Sequence, residues 1–215
     1  MLRRIIRAII PAKGDVFYNL FVEGAQNVHD TANTFAAIIN AQDRAEETSL
    51  SFALRVHKQK AMEIEKRVMI ELNNQFITPL ERGDIQELAV LLLKLTKRIV
   101  KTNTKLHIYA IDTKADDCLI GSATTLQNIT RVLVDIMLGL KAGNTQRITS
   151  AGQKTDEFDD SGVEDLRRAM KEMYSGNYDT MTILKLKEIY KSIESAIDIS
   201  TSISDLVMQI SIKDM

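Results

Sequence analysis

Tryptophan is absent from this chain of 215 residues, and aromatic residues make up only 5% of it. A core without large rings is built from Ile, Leu, Val, Met and Ala, which favours helices over a β-sandwich or a barrel. Proline occurs twice and glycine nine times, below ordinary usage, so long uninterrupted elements are expected. The single cysteine, Cys118, excludes an intrachain disulfide framework and a cysteine zinc site. It fits a reducing, cytoplasmic compartment. Such a residue packs as a small, semi-buried hydrophobe. Excess charge of either sign is also missing: 28 basic and 29 acidic residues leave a net charge of −1. A nucleic-acid binder needs a basic footprint that this balance does not supply. No apolar run approaches the length of a membrane span. No phosphate-binding loop or dinucleotide fingerprint is present, so nucleotide chemistry is not supported, and there is no His-Glu-x-x-His metalloprotease motif.

What the chain does contain is helical periodicity, and its 45% apolar content is enough for a core. The spacing predicts six helices, over residues 14–39, 44–75, 84–111, 117–142, 145–174 and 180–212. In the first, Phe17, Leu20, Phe21, Val28, Phe35 and Ile39 form one stripe. In the second, Leu54, Ala61, Ile64, Val68, Leu72 and Phe76 do so, opposite a solvated face of mixed charge. The third, with Ile85, Leu88, Leu92, Leu95 and Ile99, is nearly continuous apolar from Leu88 to Leu93 and reads as central. In the last, Leu186, Ile189, Ile193, Ile197, Ile203, Val207 and Ile210 point inward. Met62, Met69, Met137, Met170 and Met173 fall where helix cores need filling. The weakest stretch is 156–162, where four acids and a glycine could break the fifth helix. Short connections between long helices imply antiparallel neighbours. The natural partition is two sets of three helices within one domain, with halves of about 1–112 and 113–215.

The segment Phe76-Ile77-Thr78-Pro79-Leu80-Glu81-Arg82-Gly83-Asp84-Ile85 punctuates this pattern. One helix must end near Phe76 and another begin close by. Thr78 can cap it, Pro79 suits the first helical position, and Glu81 sits where a capping-box acid reaches back. At the N-terminus, Arg3, Arg4 and Arg7 interrupt the isoleucines of Met1 to Ile10, which rules out a signal-peptide core. The segment reads as a first turn packed on the bundle, or as a short amphipathic element that touches a membrane.

The decapeptide resembles the Phe-Ile-Thr-Pro-Phe-Asp-Arg-Glu-Asp-Ile hinge of the PhoU-like proteins. Ile10-Pro11-Ala12-Lys13, followed by Phe17 and Leu20-Phe21, resembles that family's entry into its first helix. Lys187-Glu188-Ile189-Tyr190, with Glu194 and Asp198 after it, resembles its last helix. The similarity is to a divergent branch of phosphate-transport regulators, accessory proteins of Pit-type phosphate permeases. It implies an all-α fold of two antiparallel three-helix bundles and a cytoplasmic protein with no enzyme activity. Its partner would be a membrane phosphate permease or a signalling protein. Homo-oligomerisation and peripheral membrane association through the permease are further expectations.

The family binds metal through Glu/Asp-x-x-x-Asp pairs. Carboxylates at i and i+4 share a helix face, and oxygen ligands on facing helices can hold a hard cation or iron. Glu194 and Asp198 match this spacing, and so do Asp160 and Glu164. A single divalent or iron ion is the most these four imply. Lys58, Met62, Lys94 and Lys97 stand where the resemblance calls for acids in the first half. Lys94, Lys97, Lys101 and Lys105 instead form a basic stripe beside Arg98. That stripe could be a solvated edge or could contact phosphate or an acidic partner. Lys94 or Lys97 could also replace the metal by pairing with Glu194 or Asp198. His29, His57 and His107 lie on separate helices outside any Glu-x-x-His pair, which counts against a carboxylate di-iron centre.

Overall fold

A computed structural model describes residues 15–111 and 116–213. The arginine-rich start, the Pro11-Ala12-Lys13 part of the resemblance and most of the polar break after Ile111 lie outside the described residues. Six helices make up the fold: α1 (Asp15–Ile39), α2 (Arg44–Asn74), α3 (Arg82–Tyr109), α4 (Asp117–Ala142), α5 (Thr145–Met173) and α6 (Thr180–Lys213). There is no strand among the described residues. The protein is all-α, with two antiparallel three-helix bundles of long helices. Helices α1, α2 and α3 pack on one another, and so do α4, α5 and α6. The triplets join where α1 meets α4 and where α3 meets α6, and one apolar core runs through both.

Local chemistry sets the boundaries. Asp43 accepts hydrogen bonds from the backbone N–H groups of Ala45 and Glu46, both at 2.9 Å, and starts α2. The dipeptide Gly143-Asn144 both stops and starts a helix. Gly143 adopts a left-handed φ of 63° after α4, and Asn144 accepts from Arg147 N–H at 2.9 Å to open α5. Asp179 accepts from Met181 N–H at 2.9 Å and Thr182 N–H at 3.1 Å at the head of α6. The Thr182 hydroxyl, which also donates to it, and then these backbone bonds favour its ionised form and hold its carboxyl below the usual range.

Four points of the expected helices are decided by the structure. First, α5 runs unbroken through residues 156–162, as the expected fifth helix over 145–174 has it. Gly162 is there for close packing: a Cβ on it would lie 2.7 Å from Ile197 Cδ1. Second, α3 starts at Arg82, slightly before the expected 84, and Thr78 is not its cap. The Thr78 hydroxyl donates to the Leu80 carbonyl at 2.7 Å inside the turn, so it does not cap the helix. Third, Phe76 is 99% exposed. The backbone turns extended at Gln75, which breaks the phase of the α2 stripe, and Leu80 takes the buried place. Fourth, Met62 and Val90 are exposed, because α2 and α3 each turn one full face outward.

Candidate functional site

The α3–α6 seam carries the residues the sequence singles out. Three contacts fix its antiparallel register. The hydroxyls of Thr102 and Ser192 meet at 2.9 Å in the buried middle. Lys105 Nζ bonds Glu188 Oε2 at 2.9 Å and the Glu188 carbonyl at 3.1 Å. At the far end, Lys213 Nζ lies 3.1 Å from Asp84 and 3.4 Å from Glu81. That last contact joins a cation at a helix C-terminus to acids at a helix N-terminus, the favourable sense at both macrodipole ends. The two carboxylates hold the Lys213 ammonium above its ordinary range.

The lysine stripe lies along the outward side of this seam. Lys94, Lys97 and Lys101 are exposed, and Arg98 and Lys105 are half-buried. Among the described residues, Lys105 is the stripe member held in an ion pair, with Glu188. The bond to Lys105, aided by the charges of Lys191 and Lys101, lowers the Glu188 carboxyl below the usual range. The surplus charge on this face is therefore positive.

The structure does not place Lys94 or Lys97 against Glu194 or Asp198, although α3 and α6 do pack together. The charged neighbour of Asp198 is Asp159 on α5. Burial, and then Asp159, push the Asp198 carboxyl up. Thr201 Oγ1 bonds Asp159 Oδ1 at 3.3 Å along the same α5–α6 edge. Glu194 and Asp160 are exposed, and Glu164 is paired with Arg167 at 3.3 Å. Among the described residues no three Asp, Glu, His or Cys side chains converge into a metal-holding group. A hard cation needs about six oxygens. The residues present, with Lys58, Met62, Lys94 and Lys97 outward in the first bundle, do not fit the family's metal centre.

Sequence reasoning missed several polar contacts inside the bundle. Asp165 is buried against the Arg168 guanidinium and accepts from Thr125 Oγ1 at 3.0 Å. Its partner three residues on was the available signal. His29 lies 3.2 Å from Thr130 Oγ1 and 3.1 Å from Asn33 Nδ2, bridging α1 to α4. Burial lowers its pKa, and the Asn33 amide presents a donor, so the ring is neutral with its proton on Nδ1. His57 meets Thr34 Oγ1 at 3.2 Å between α1 and α2, and burial lowers its pKa too. Glu47, His107, Ser51 and Asn103 form a chain with steps of 3.4, 2.8 and 3.1 Å. Ser51 sits inside α2, where backbone N–H groups are committed to carbonyls one turn back. The chain of contacts ties α2 to α3. Cys118 is buried, and burial pushes its thiol up, away from reactivity. No helix among the described residues is long and apolar enough to cross a membrane.

No family model matches the chain. It is 26% identical over 208 residues to UPF0111 protein YkaA of Bacillus subtilis, spanning 96% of this chain and 100% of that protein. It is 22% identical over 213 residues to the protein named "Putative pit accessory protein" of Rhizobium meliloti, spanning 95% of this chain and 98% of that one. A PhoU-like protein of Shewanella oneidensis MR-1 superposes with a TM-score of 0.79 at 12% identity, over 91% of this chain and 99% of that one. A second PhoU-like structure from the same organism gives 0.75, over 92% and 99%. The fold is PhoU-like, as the hinge and last-helix motifs imply.

Proposed function

We propose that this PhoU-like chain is a non-enzymatic accessory or regulatory protein of inorganic phosphate uptake. It acts by binding a phosphate permease, or the permease's signalling partner, from the cytoplasmic side. The observation that carries this reading is the end-to-end match to the Rhizobium meliloti protein, whose name ties it to a Pit transporter. The geometry is in keeping with it: an apolar core filled by helix packing, and charge displayed on broad helical faces. Regulation by docking requires different affinity for the permease's two working states.

The test is an affinity capture of the tagged protein from detergent-solubilised native membranes, with bound proteins identified by mass spectrometry. Specific recovery of a phosphate permease supports the role. A clean preparation that holds stoichiometric metal and no membrane protein overturns it in favour of a metal-binding bundle.

A further inference from the structure

From Leu88 to Ile111 the chain contains no Asp or Glu, yet it carries Lys94, Lys97, Arg98, Lys101 and Lys105. The exposed members follow one outward line of α3, with Val90 and Ile108 exposed at either end of that line. On one flank, exposed Arg55 and Lys58 of α2 continue the edge that begins at Ser51, which bonds Asn103 of α3. On the other flank lie Lys187 and Lys191 of α6, also exposed. Glu188 is held by Lys105, Glu47 lies 3.4 Å from His107, and exposed Glu194 follows Lys191 by three residues on α6; the cations still outnumber these acids. Six acids and no base fall between residues 156 and 165. They sit on α5, which packs on α4 and α6 and not on α3. The chain is nearly neutral, but its charge is sorted onto different sides.

We propose that the α2–α3–α6 face is a docking surface for an anionic lipid bilayer, oriented with the acidic α5 turned away from the membrane. Three observations select this occupant. The cations are mainly lysines, hydrated point charges on flexible stems. These suit a diffuse negative surface better than the bidentate recognition that favours arginine. The outward line of α3 has no Trp, Tyr or Phe to anchor a protein partner, and its exposed apolar residues are aliphatic. The lysines are spread, exposed, along one line of the helix and do not converge on a point, so they suit an extended negative surface better than a single phosphate ion. Adjacent lysines are about 5 Å apart along the helix axis, well inside the Debye length of about 8 Å at physiological salt. A bilayer therefore meets them as one patch. Each lysine close to an anionic surface contributes about a factor of five in binding.

The experiment is co-sedimentation of the full chain with vesicles of phosphatidylcholine alone and with vesicles also containing phosphatidylglycerol, at low and high salt. Binding only to the anionic vesicles, weakened by salt, is expected. The triple variant Lys94→Gln, Lys97→Gln, Lys101→Gln should bind about a hundredfold more weakly. Lys141→Gln, Lys154→Gln, Lys171→Gln changes net charge equally on α4 and α5 and should bind as the unaltered chain does. Circular dichroism confirms that both variants are folded. Equal loss in both variants, or binding abolished by neutralising Arg3, Arg4 and Arg7 and untouched by the α3 triple, overturns the proposal. So does failure to bind anionic vesicles by a chain that still captures a permease, a result that leaves the permease reading standing and assigns the face to protein.

Discussion

Gly162 offers a direct test of how α5 and α6 are packed. A Cβ built on it would stand 2.7 Å from Ile197 Cδ1 and 3.6 Å from Ile197 Cγ2. Carbons in good contact sit about 3.5–4.0 Å apart, so Gly162→Ala must displace the end of the Ile197 side chain by about 1 Å. Two effects compete. Alanine is favoured over glycine inside a helix by about 1 kcal/mol. Overpacking a filled core costs about 1–3 kcal/mol, at the low end when a side-chain tip is the atom that moves. The net expectation is a loss of roughly 0.5 kcal/mol. Ile197→Val removes the obstructing methyl and alone costs about 0.5–1.5 kcal/mol. Together the new methyl fills the space the lost one leaves, so the double variant should be more stable than the sum of singles by about 1 kcal/mol. Urea unfolding of the four proteins, followed by circular dichroism, closes the cycle. Additivity to within about 0.3–0.5 kcal/mol would refute the contact and revive a broken helix at the acidic stretch.

Two further outcomes follow from the charged and titrating groups. His29 and His57 have folded pKa values below the ordinary 6.5, chiefly through burial, so the unfolded chain takes up their protons first. Their contribution is fully present above about pH 6.5 and is lost as the pH falls below that value toward the folded pKa values. Thermal melts should show this loss, and His29→Gln with His57→Gln should flatten it; an unchanged pH dependence in that double variant would count against buried neutral rings. Asp198 titrates above the ordinary carboxyl range because of burial and Asp159, so its charge opposes folding at neutral pH. Asp198→Asn should raise stability there by up to about 0.5 kcal/mol, the usual scale for a surface change. That gain should fade as the pH falls through the carboxyl range. A loss of stability instead, together with melting that shifts on adding a chelator, would mean that a cation sits between the two carboxylates.

The helices were legible because burial on one side writes itself into spacing. All the residues assigned to the α6 stripe, from Leu186 to Ile210, are buried. The α4 bounds at Asp117 and Ala142 also fall where the periodicity and the Gly143 stop place them. What failed was phase at helix ends and the use of small residues. Phe76 extends the α2 repeat in sequence, but the backbone leaves the helix one residue earlier. Gly162 carries the same composition signal whether it breaks a helix or lets another helix approach. The site was less legible, because a side chain's partner depends on which edge of a helix it occupies. Glu194 and Asp198 share the right spacing. Yet Asp198 meets Asp159 on α5, whereas Glu188, about three turns earlier, meets Lys105 on α3.

The α3 stripe is also an energetic matter. Lys94 and Lys97, Lys97 and Lys101, and Lys101 and Lys105 are like charges three or four apart on one helix. Each such pair destabilises by about 0.2–0.5 kcal/mol. Three of them set roughly 1 kcal/mol against a fold whose total stability is of order 10 kcal/mol. One ion pair, with Glu188, relieves a single member, and it lies at the surface, where such pairs are worth about 0–1 kcal/mol. The apolar side of α3 would fold as well with glutamates alternating among these lysines, as the mixed charges of α2 show. The stripe is therefore not explained by the stability of the helix that bears it. Beyond the Glu188 pair, negative charge from outside the molecule would relieve its repulsion. An anionic bilayer beside a membrane permease would supply that charge over the full length of the stripe.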